Sequence, residues 1–123
     1  MKILVVCQYY YPEPFRVSDL CEELVKQGNE VTVITGTPNY PMGEIYPEYR
    51  NKACADEIIN GVCVHRCKIH PRKKGRIHRL LNYYSFSYQS KKYIKKLDSS
   101  FDVVFVYQLS PVMMARAGLY YLI

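Results

Sequence analysis

The first 35 residues alternate between apolar strand-like runs and one amphipathic helical segment. Lys2–Cys7 is a continuous apolar run rich in Ile and Val, which is typical of a strand covered on both faces. Residues 17–27 place apolar side chains at helical spacing, and Gly28 is suited to ending that helix. Residues 30–35 return to a buried-strand pattern. Strand, helix and strand within this length form one βαβ unit, which predicts a parallel sheet.

Two later segments also have strand character. Asn60-Gly61 lies between the β-prone residues 57–59 and 62–66, and this dipeptide is the strongest short signal for a β-hairpin. Residues 101–107 form another apolar run of strand length. The predicted fold class is therefore α/β and Rossmann-like, with a mainly parallel sheet, flanking helices and one β-hairpin.

Two more helices are expected in the second half of the chain. The first covers residues 76–97, and the last runs from Pro111 to residue 123. The first carries an apolar stripe of Ile77, Leu80, Leu81, Tyr84 and Tyr88. The apolar chain end lacks a helix stop signal, and a doubly wound domain normally has more strands, so residues 1–123 are predicted to be one incomplete domain. The alternative is a small complete domain whose last helix packs down fully.

Composition excludes several classes of protein. With 49% hydrophobic and 23% charged residues, the chain is that of a globular rather than a disordered protein. No apolar run approaches the ~20 residues that span a bilayer. The first apolar run is too short for the core of a signal peptide, so a cytoplasmic location is expected.

The five cysteines are best interpreted as reduced thiols packed in the core of a cytoplasmic protein. A metal site could be assembled from Cys63, His65, Cys67 and His70. However, the first three alternate along a predicted strand, and the usual CxxC and HxxxH ligand spacings are absent. A strand face is therefore favoured, and no metal and no cofactor are expected.

The charge of the chain is unevenly distributed. Residues 1–67 hold six Lys/Arg and nine Asp/Glu, whereas residues 68–123 hold eleven and two, within a net charge of +6. Residues 70–97 contain no acidic residue and interleave tyrosines with basic side chains, a composition that suits adsorption to an anionic membrane. The predicted membrane contacts are Arg72, Lys73, Lys74, Arg76, Arg79, Lys91, Lys92, Lys95 and Lys96.

Two alternatives compete with membrane contact for this basic stretch. Leu81, Tyr84 and Tyr88 could be core contacts while the lysines only face solvent. Single-stranded nucleic acid could also bind basic and aromatic side chains, but RNP-type motifs are absent and the βαβ order does not fit an OB or KH module. No nucleic-acid partner is therefore expected.

Several segments together resemble one enzyme family. Residues 24–35 read LVKQGNEVTVIT, residues 36–43 read GTPNYPMG, residues 59–66 read INGVCVHR and residues 101–104 read FDVV. These segments are similar to the amino-terminal part of the family-4 retaining glycosyltransferases, and GTPNYPMG resembles a loop of the subgroup that acts in capsule, O-antigen and colanic-acid synthesis. Asn29 stands where histidine is more usual in that family.

This resemblance implies a GT-B enzyme, in which two Rossmann-like domains face a cleft. The second domain mainly binds the nucleotide sugar, and the first handles the acceptor, which is often a lipid-linked sugar. The chain would then be the acceptor-side half of a hexosyl-type transferase, inactive without the donor-binding domain and peripheral to the inner membrane surface. A stand-alone binding module that serves a partner subunit or the membrane is the alternative. A nucleotide-binding Rossmann protein is disfavoured because GxGxxG is absent after the first strand.

The working surface is expected where the parallel strands end. Residues 8–16, 36–43 and 108–110 leave such ends, and ligands of open parallel sheets bind there. Relatives carry Gly-Gly in the first of these loops and a histidine after the third long strand, and neither is present here, so no catalytic residue is assigned. The candidate substrate-binding residues are Arg16, Asn39, Tyr40, Tyr107 and Gln108.

Each candidate has a chemical reason and an alternative. Arg16 could supply charge-assisted contacts in place of the glycines, or could be simply solvated. Asn39 and Tyr40 could hydrogen-bond to an acceptor sugar and pack on it, or could belong to a stiff turn that Asn39 closes locally. Tyr107 and Gln108 lie at the expected rim. Self-association through a free sheet edge is also predicted.

Overall fold

The computed structural model describes residues 1–13, 16–39, 45–49, 55–71, 73, 75–97 and 100–107. The helix predicted from residue 111, and the candidates Tyr40 and Gln108, lie outside the described residues. The elements, in chain order, are β1 (Lys2–Cys7), α1 (Val17–Lys26), β2 (Glu30–Gly36), a 3-10 turn (Pro47–Tyr49), β3 (Ala55–Ile59), β4 (Val62–Cys67), α2 (Arg76–Ile94) and β5 (Val103–Tyr107).

The five strands form one sheet in the order β3-β4-β2-β1-β5. The pairs β1–β2, β1–β5 and β2–β4 are parallel, and β3–β4 is antiparallel. Val5 of β1 lies opposite both Val33 and Phe105, so the most apolar run of the sequence occupies the middle of the parallel part. The predicted α/β, Rossmann-like fold with a mainly parallel sheet is confirmed.

The predicted hairpin joins β3 to β4. Asn60 and Gly61 both have positive φ, 49° and 84°, as a two-residue type I′ turn requires. The hairpin also has a consequence that its local sequence does not show: β4 continues the sheet as a parallel neighbour of β2. The residues after β4 consequently reach the same edge of the sheet as those after β1 and β2.

Among the described residues, α1 packs on one face of the sheet and α2 on the other. On the α1 face, the core consists of Ile3, Val5, Cys7, Tyr10, Val17, Cys21, Val31, Val33, Val62 and Val64. On the α2 face, it consists of Leu4, Val6, Ile34, Cys67, Ile69, Tyr83, Phe86 and Ile94. Alternate residues of β1 and β2 therefore serve opposite cores, which explains why residues 3–7 of β1 are all apolar and why Val31, Val33 and Ile34 of β2 are all buried.

The face that α2 buries differs from the expectation of a core stripe. Its predicted apolar stripe is exposed, and the buried residues are instead Asn82, Tyr83, Phe86, Ser87, Ser90 and Ile94. The Ser90 hydroxyl donates to the Phe86 carbonyl at 2.7 Å, so its burial leaves that donor satisfied. The interpretation of Leu81, Tyr84 and Tyr88 as core contacts is therefore wrong.

The cysteine expectation needs one correction. Cys7, Cys21 and Cys67 are free thiols buried in the core, whereas Cys63 is free and exposed on β4. Within the described ranges, no group of three or more Cys, His, Asp or Glu side chains could hold a metal ion. A helix long and apolar enough to cross a membrane is likewise not found among the described residues.

Candidate functional site

The carboxyl ends of β1, β2, β4 and β5 lie along one edge of the sheet, which we call the rim. Cys7 pairs with Tyr107 and Gly36 pairs with Cys67, so the four strands end at nearly the same height. The loops after β1 and β2 touch directly, because the Gly36 amide donates to the Gln8 carbonyl at 3.3 Å. Ligands of open parallel sheets bind at such a rim, so this is the candidate site.

Glu13 links the loop after β1 to the loop after β2 by hydrogen bonds. Its carboxylate is buried, with 1% exposure, and accepts the Asn39 backbone N–H at 3.0 Å and that of Tyr10 at 3.4 Å. Backbone donors stabilise a buried carboxylate in its charged form. From its sequence context Glu13 is only a lone carboxylate near the rim, because its partner in the second loop is 26 residues away.

Arg66 links the rim to the β3–β4 hairpin through an ion pair and hydrogen bonds. Its side chain is fully buried at the end of β4, and its Nε donates to Oε2 of Glu57 at 2.7 Å. The guanidinium also donates to the Gly36 carbonyl at 3.4 Å and to the Tyr11 carbonyl. Tyr49 lies against the pair: its ring centre is 4.9 Å from the guanidinium carbon, and its hydroxyl donates to the Glu57 carboxylate at 2.9 Å.

Sequence reasoning did not single out Arg66, although a signal was present. In the strand pattern, Val62, Val64 and Arg66 share one face of β4, and the two valines are core residues. An arginine on this buried face is compatible with a strand only if an anionic partner is buried beside it. The antiparallel hairpin supplies this partner, because Glu57 lies opposite Val64 on the adjacent strand.

A polar network connects the rim to α2. The Gln8 amide donates to Asn82, and Asn82 in turn donates to the His70 carbonyl at 2.7 Å. The His70 backbone N–H donates to the Ser85 hydroxyl at 2.8 Å. Gln8 Oε1 is buried and has no hydrogen-bond partner among the described residues. A ligand hydroxyl is the kind of donor that would satisfy such an acceptor.

Two histidines lie beside this network. His70 Nε2 is 3.0 Å from His78 Nδ1, and the rings are stacked. Burial lowers the pKa of His70, and the nearby charges of His78 and Lys73 lower it further. At neutral pH His70 is therefore an uncharged imidazole that can donate at one nitrogen and accept at the other.

The buried thiols and the buried phenol are poor nucleophiles. Burial is the main cause that raises the pKa of Cys21 to about 11, and it raises the pKa values of Cys7 and Tyr10 as well. A thiolate is the reactive form of cysteine, so these side chains do not provide covalent catalysis at neutral pH.

A second cavity lies away from the rim, near the amino ends of β2 and β4. It has a volume of about 400 Å³, and its lining includes Thr32, Cys63 and Tyr93. His65 also lines it, contacts Asp56 and stacks on the Tyr93 ring. The described contacts there join groups of the fold to one another, so we do not assign a function to this cavity.

The predicted binding residues occupy different positions relative to the rim. Arg16 is exposed and occupies the N-cap position of α1 without a side-chain capping hydrogen bond, and Tyr107 is half-buried at the end of β5. Asn39 is fully buried, and its side-chain amide donates to the Thr37 carbonyl at 3.0 Å, which is the local turn closure considered above. Of the predicted membrane contacts, Arg72 and Lys74 lie outside the described residues.

Comparison with known proteins gives one relationship. The chain is similar to the Escherichia coli (strain K12) protein described as a colanic acid biosynthesis glycosyl transferase, WcaI, with 37% identity over 98 residues. The chain is related to a glycosyltransferase. The aligned region covers 73% of this chain and 23% of the relative, so the chain spans about a quarter of the relative's length. No protein-family model matches the chain, and no solved structure matches it.

Proposed function

We propose that the chain forms the acceptor-side half of a sugar-nucleotide-dependent glycosyltransferase of surface polysaccharide synthesis. The observation that carries this proposal is the 37% identity to WcaI over 98 residues. The Rossmann-like sheet supports it, because its rim offers the loop-built surface on which such folds bind ligands. Transfer would require a donor-binding domain that holds the nucleotide sugar, and the chain by itself would be inactive.

The acceptor would bind along the rim. Arg16 and Tyr107 are the described candidates for direct contact, joined by Tyr40 and Gln108 from the loops that follow β2 and β5. Asn39 would support the loop that carries Tyr40. Gln8 offers a buried carbonyl oxygen at the same rim, and a sugar hydroxyl is a suitable donor to it.

A lipid-linked acceptor would place the enzyme at the inner membrane surface. The basic residues of the second half, exposed except for the half-buried Lys91, support this part of the proposal, because anionic lipids attract such a surface. The described members of the predicted set are Lys73, Arg76, Arg79, Lys91, Lys92, Lys95 and Lys96. Self-association through the outer edge of β5 is a further proposal, supported by the exposed Val103 and Phe105 on that strand.

A binding experiment separates an acceptor-side half from a donor-binding module. Isotope-labelled chain is titrated with a detergent-solubilised lipid-linked saccharide and, separately, with UDP-glucose, and NMR shift changes are followed. The proposal expects saccharide binding that weakens in Arg16→Ala and Tyr107→Ala and persists in the control Lys26→Ala, an exposed basic residue at the other end of α1. Tight UDP-glucose binding without saccharide binding would instead make the chain a donor-binding module.

A second measurement tests the missing half directly. The chain is mixed with a separately expressed donor-binding domain, and sugar transfer is compared with each part alone. Transfer that requires both parts is the expected result. If the chain binds saccharide but never supports transfer, the alternative of a stand-alone binding module is favoured.

A further inference from the structure

The outward face of α2 is apolar. Ile77, Leu80, Leu81, Tyr84 and Tyr88 have 73%, 50%, 44%, 56% and 62% of their surface exposed, and we call them the α2 ridge. At helical spacing these five positions share one stripe about 100° wide. The stripe is about 16 Å long at 1.5 Å per residue. Contiguous exposed apolar surface of this kind marks an interaction site.

A cavity lined by lysines lies at the carboxyl end of the ridge. Tyr88, Lys91, Lys92 and Lys95 line a cavity of about 220 Å³ on the α2 surface. Helical spacing puts Lys91 and Lys95 on the same stripe as the ridge, with Lys92 beside them. One continuous face of α2 therefore changes from aliphatic and aromatic side chains to a lysine cluster around a tyrosine ring.

The charged side chains of the segment that carries the ridge all have one sign. Residues 70–97 contain no acidic residue, and the exposed Arg76 and Arg79 lie at the amino end of α2. Lysines border the ridge at its carboxyl end, whereas helical spacing turns Arg76 and Arg79 toward the opposite side of α2. An occupant that complements it has to present an apolar layer next to negative charge, which is the arrangement of an anionic lipid surface.

We propose that α2 docks on an anionic bilayer, with the ridge inserted at the boundary between headgroups and acyl chains and with the lysine cavity holding one lipid phosphate. This inference rests on the proposed function in one respect, the lipid-linked acceptor. The helix lies parallel to the membrane plane, because both the ridge and its lysine end face outward along one side of α2. Docking in this way leaves the rim beside the membrane surface.

Two other occupants fit this face less well. A second copy packed parallel on the ridge would bring two lysine clusters into contact, and like charges repel. A second copy packed antiparallel would set the ridge's aliphatic end, and no negative charge, against each lysine cluster. Single-stranded nucleic acid would need stacking platforms along the ridge, whereas its first three side chains, Ile77, Leu80 and Leu81, are aliphatic. Both occupants are outcomes of the test below.

Insertion can be read from an introduced fluorophore, because the chain has no tryptophan. Tyr88→Trp places one on the ridge, and Ile58→Trp places a matched control at an exposed β3 position. With vesicles of phosphatidylglycerol and phosphatidylcholine, the tryptophan of Tyr88→Trp should shift to the blue and be quenched by brominated acyl chains. The tryptophan of Ile58→Trp should show neither change. Equal behaviour of the two variants overturns the proposal.

The headgroup site is tested by a matched pair of charge variants. Each lysine near an anionic surface contributes about fivefold in affinity, so K91Q/K92Q/K95Q should weaken vesicle binding by about a hundredfold. K2Q/K26Q/K68Q makes the same change of net charge away from the face and should change binding by less than about threefold. Far-UV circular dichroism checks that each variant is folded. Equal losses in the two triples would show a diffuse charge effect and overturn the lipid site.

The ridge has its own matched pair. Ile77→Ser and Ile58→Ser remove the same side chain at 73% and 77% exposure, and the proposal expects weaker vesicle binding in the first alone. Concentration-dependent dimers that Ile77→Ser abolishes, without vesicle binding, would assign the ridge to a second copy. Tight binding of oligothymidine by the wild type but not by K91Q/K92Q/K95Q would assign the face to nucleic acid.

Failure of this inference is distinguishable from failure of the proposed function. Saccharide binding at the rim is measured by NMR without vesicles, and vesicle binding is measured without saccharide. Ridge-dependent vesicle binding by a chain that binds no saccharide would keep the docking face and remove the acceptor role. Saccharide binding by a chain that does not bind anionic vesicles would keep the acceptor role and remove the docking face.

Discussion

Removing the Arg66 side-chain charge should destabilise the protein strongly. Arg66→Met keeps a long, unbranched side chain at this position but leaves the Glu57 carboxylate without its cation. Breaking a buried ion pair by deleting one partner costs about 3–5 kcal/mol. The Glu57 side chain is still 25% exposed and keeps the Tyr49 hydroxyl, so the ion-pair loss belongs at the lower end of that range.

Loss of the other contacts adds to this effect. The carbonyls of Gly36 and Tyr11 lose a donor, and an unsatisfied buried acceptor costs about 1 kcal/mol or more. Since such terms are not additive, we expect Arg66→Met to lower the free energy of unfolding by about 4 kcal/mol. Domains are stable by about 5–15 kcal/mol, so the variant should remain measurable but weak.

The assay is equilibrium urea denaturation followed by far-UV circular dichroism. Arg79→Met is the matched control, because this exposed arginine of α2 should contribute about 0.5 kcal/mol or less. The double variant Arg66→Met/Glu57→Gln removes both charges and should recover about 2 kcal/mol relative to the sum of the single losses. A loss below about 1 kcal/mol in Arg66→Met, or strict additivity in the double variant, would refute this account of the rim.

Three further predictions concern the turn, the exposed thiol and the histidine pair. Gly61→Ala and Gly28→Ala each place an L side chain at positive φ, which should lower the free energy of unfolding by about 1–2 kcal/mol. Gly61→Ala should lower it by about 1 kcal/mol more, because its new Cβ would meet an α1 side chain at 2.9 Å. Thermal melts of the two variants measure this difference. Cys63 should react with Ellman's reagent far faster than the other described cysteines, which peptide mapping checks; slow labelling there would contradict its exposure. The folded pKa of His70 is lowered, so the unfolded state binds more protons and stability should fall as the pH drops below about 6.5. His78→Gln should raise the pKa of His70 in an NMR titration and weaken that pH dependence, and an unchanged titration would count against the pair.

Local sequence patterns were enough to predict the secondary-structure elements and the fold class. The apolar run of β1, the turn residue Gly28 and the pair Asn60-Gly61 act through local sterics and burial, and the structure has each element where the pattern predicted it. A βαβ unit permits one handedness and one sheet type, so the parallel sheet followed from the order of elements. The position of the rim followed from the same order.

The residues that link the rim loops, and the face of α2 that is buried, depend on contacts between distant parts of the chain. The helical spacing of apolar residues predicts which face of a helix is buried, and it predicted that the α2 ridge would face the core. The partner that makes burial of Asn82 possible is Gln8, which is 74 residues away in the chain. Arg66 likewise reaches Tyr11 across 55 residues. Burying a polar side chain is favourable only when its hydrogen bonds are made, and where those partners lie is known only once the chain has folded.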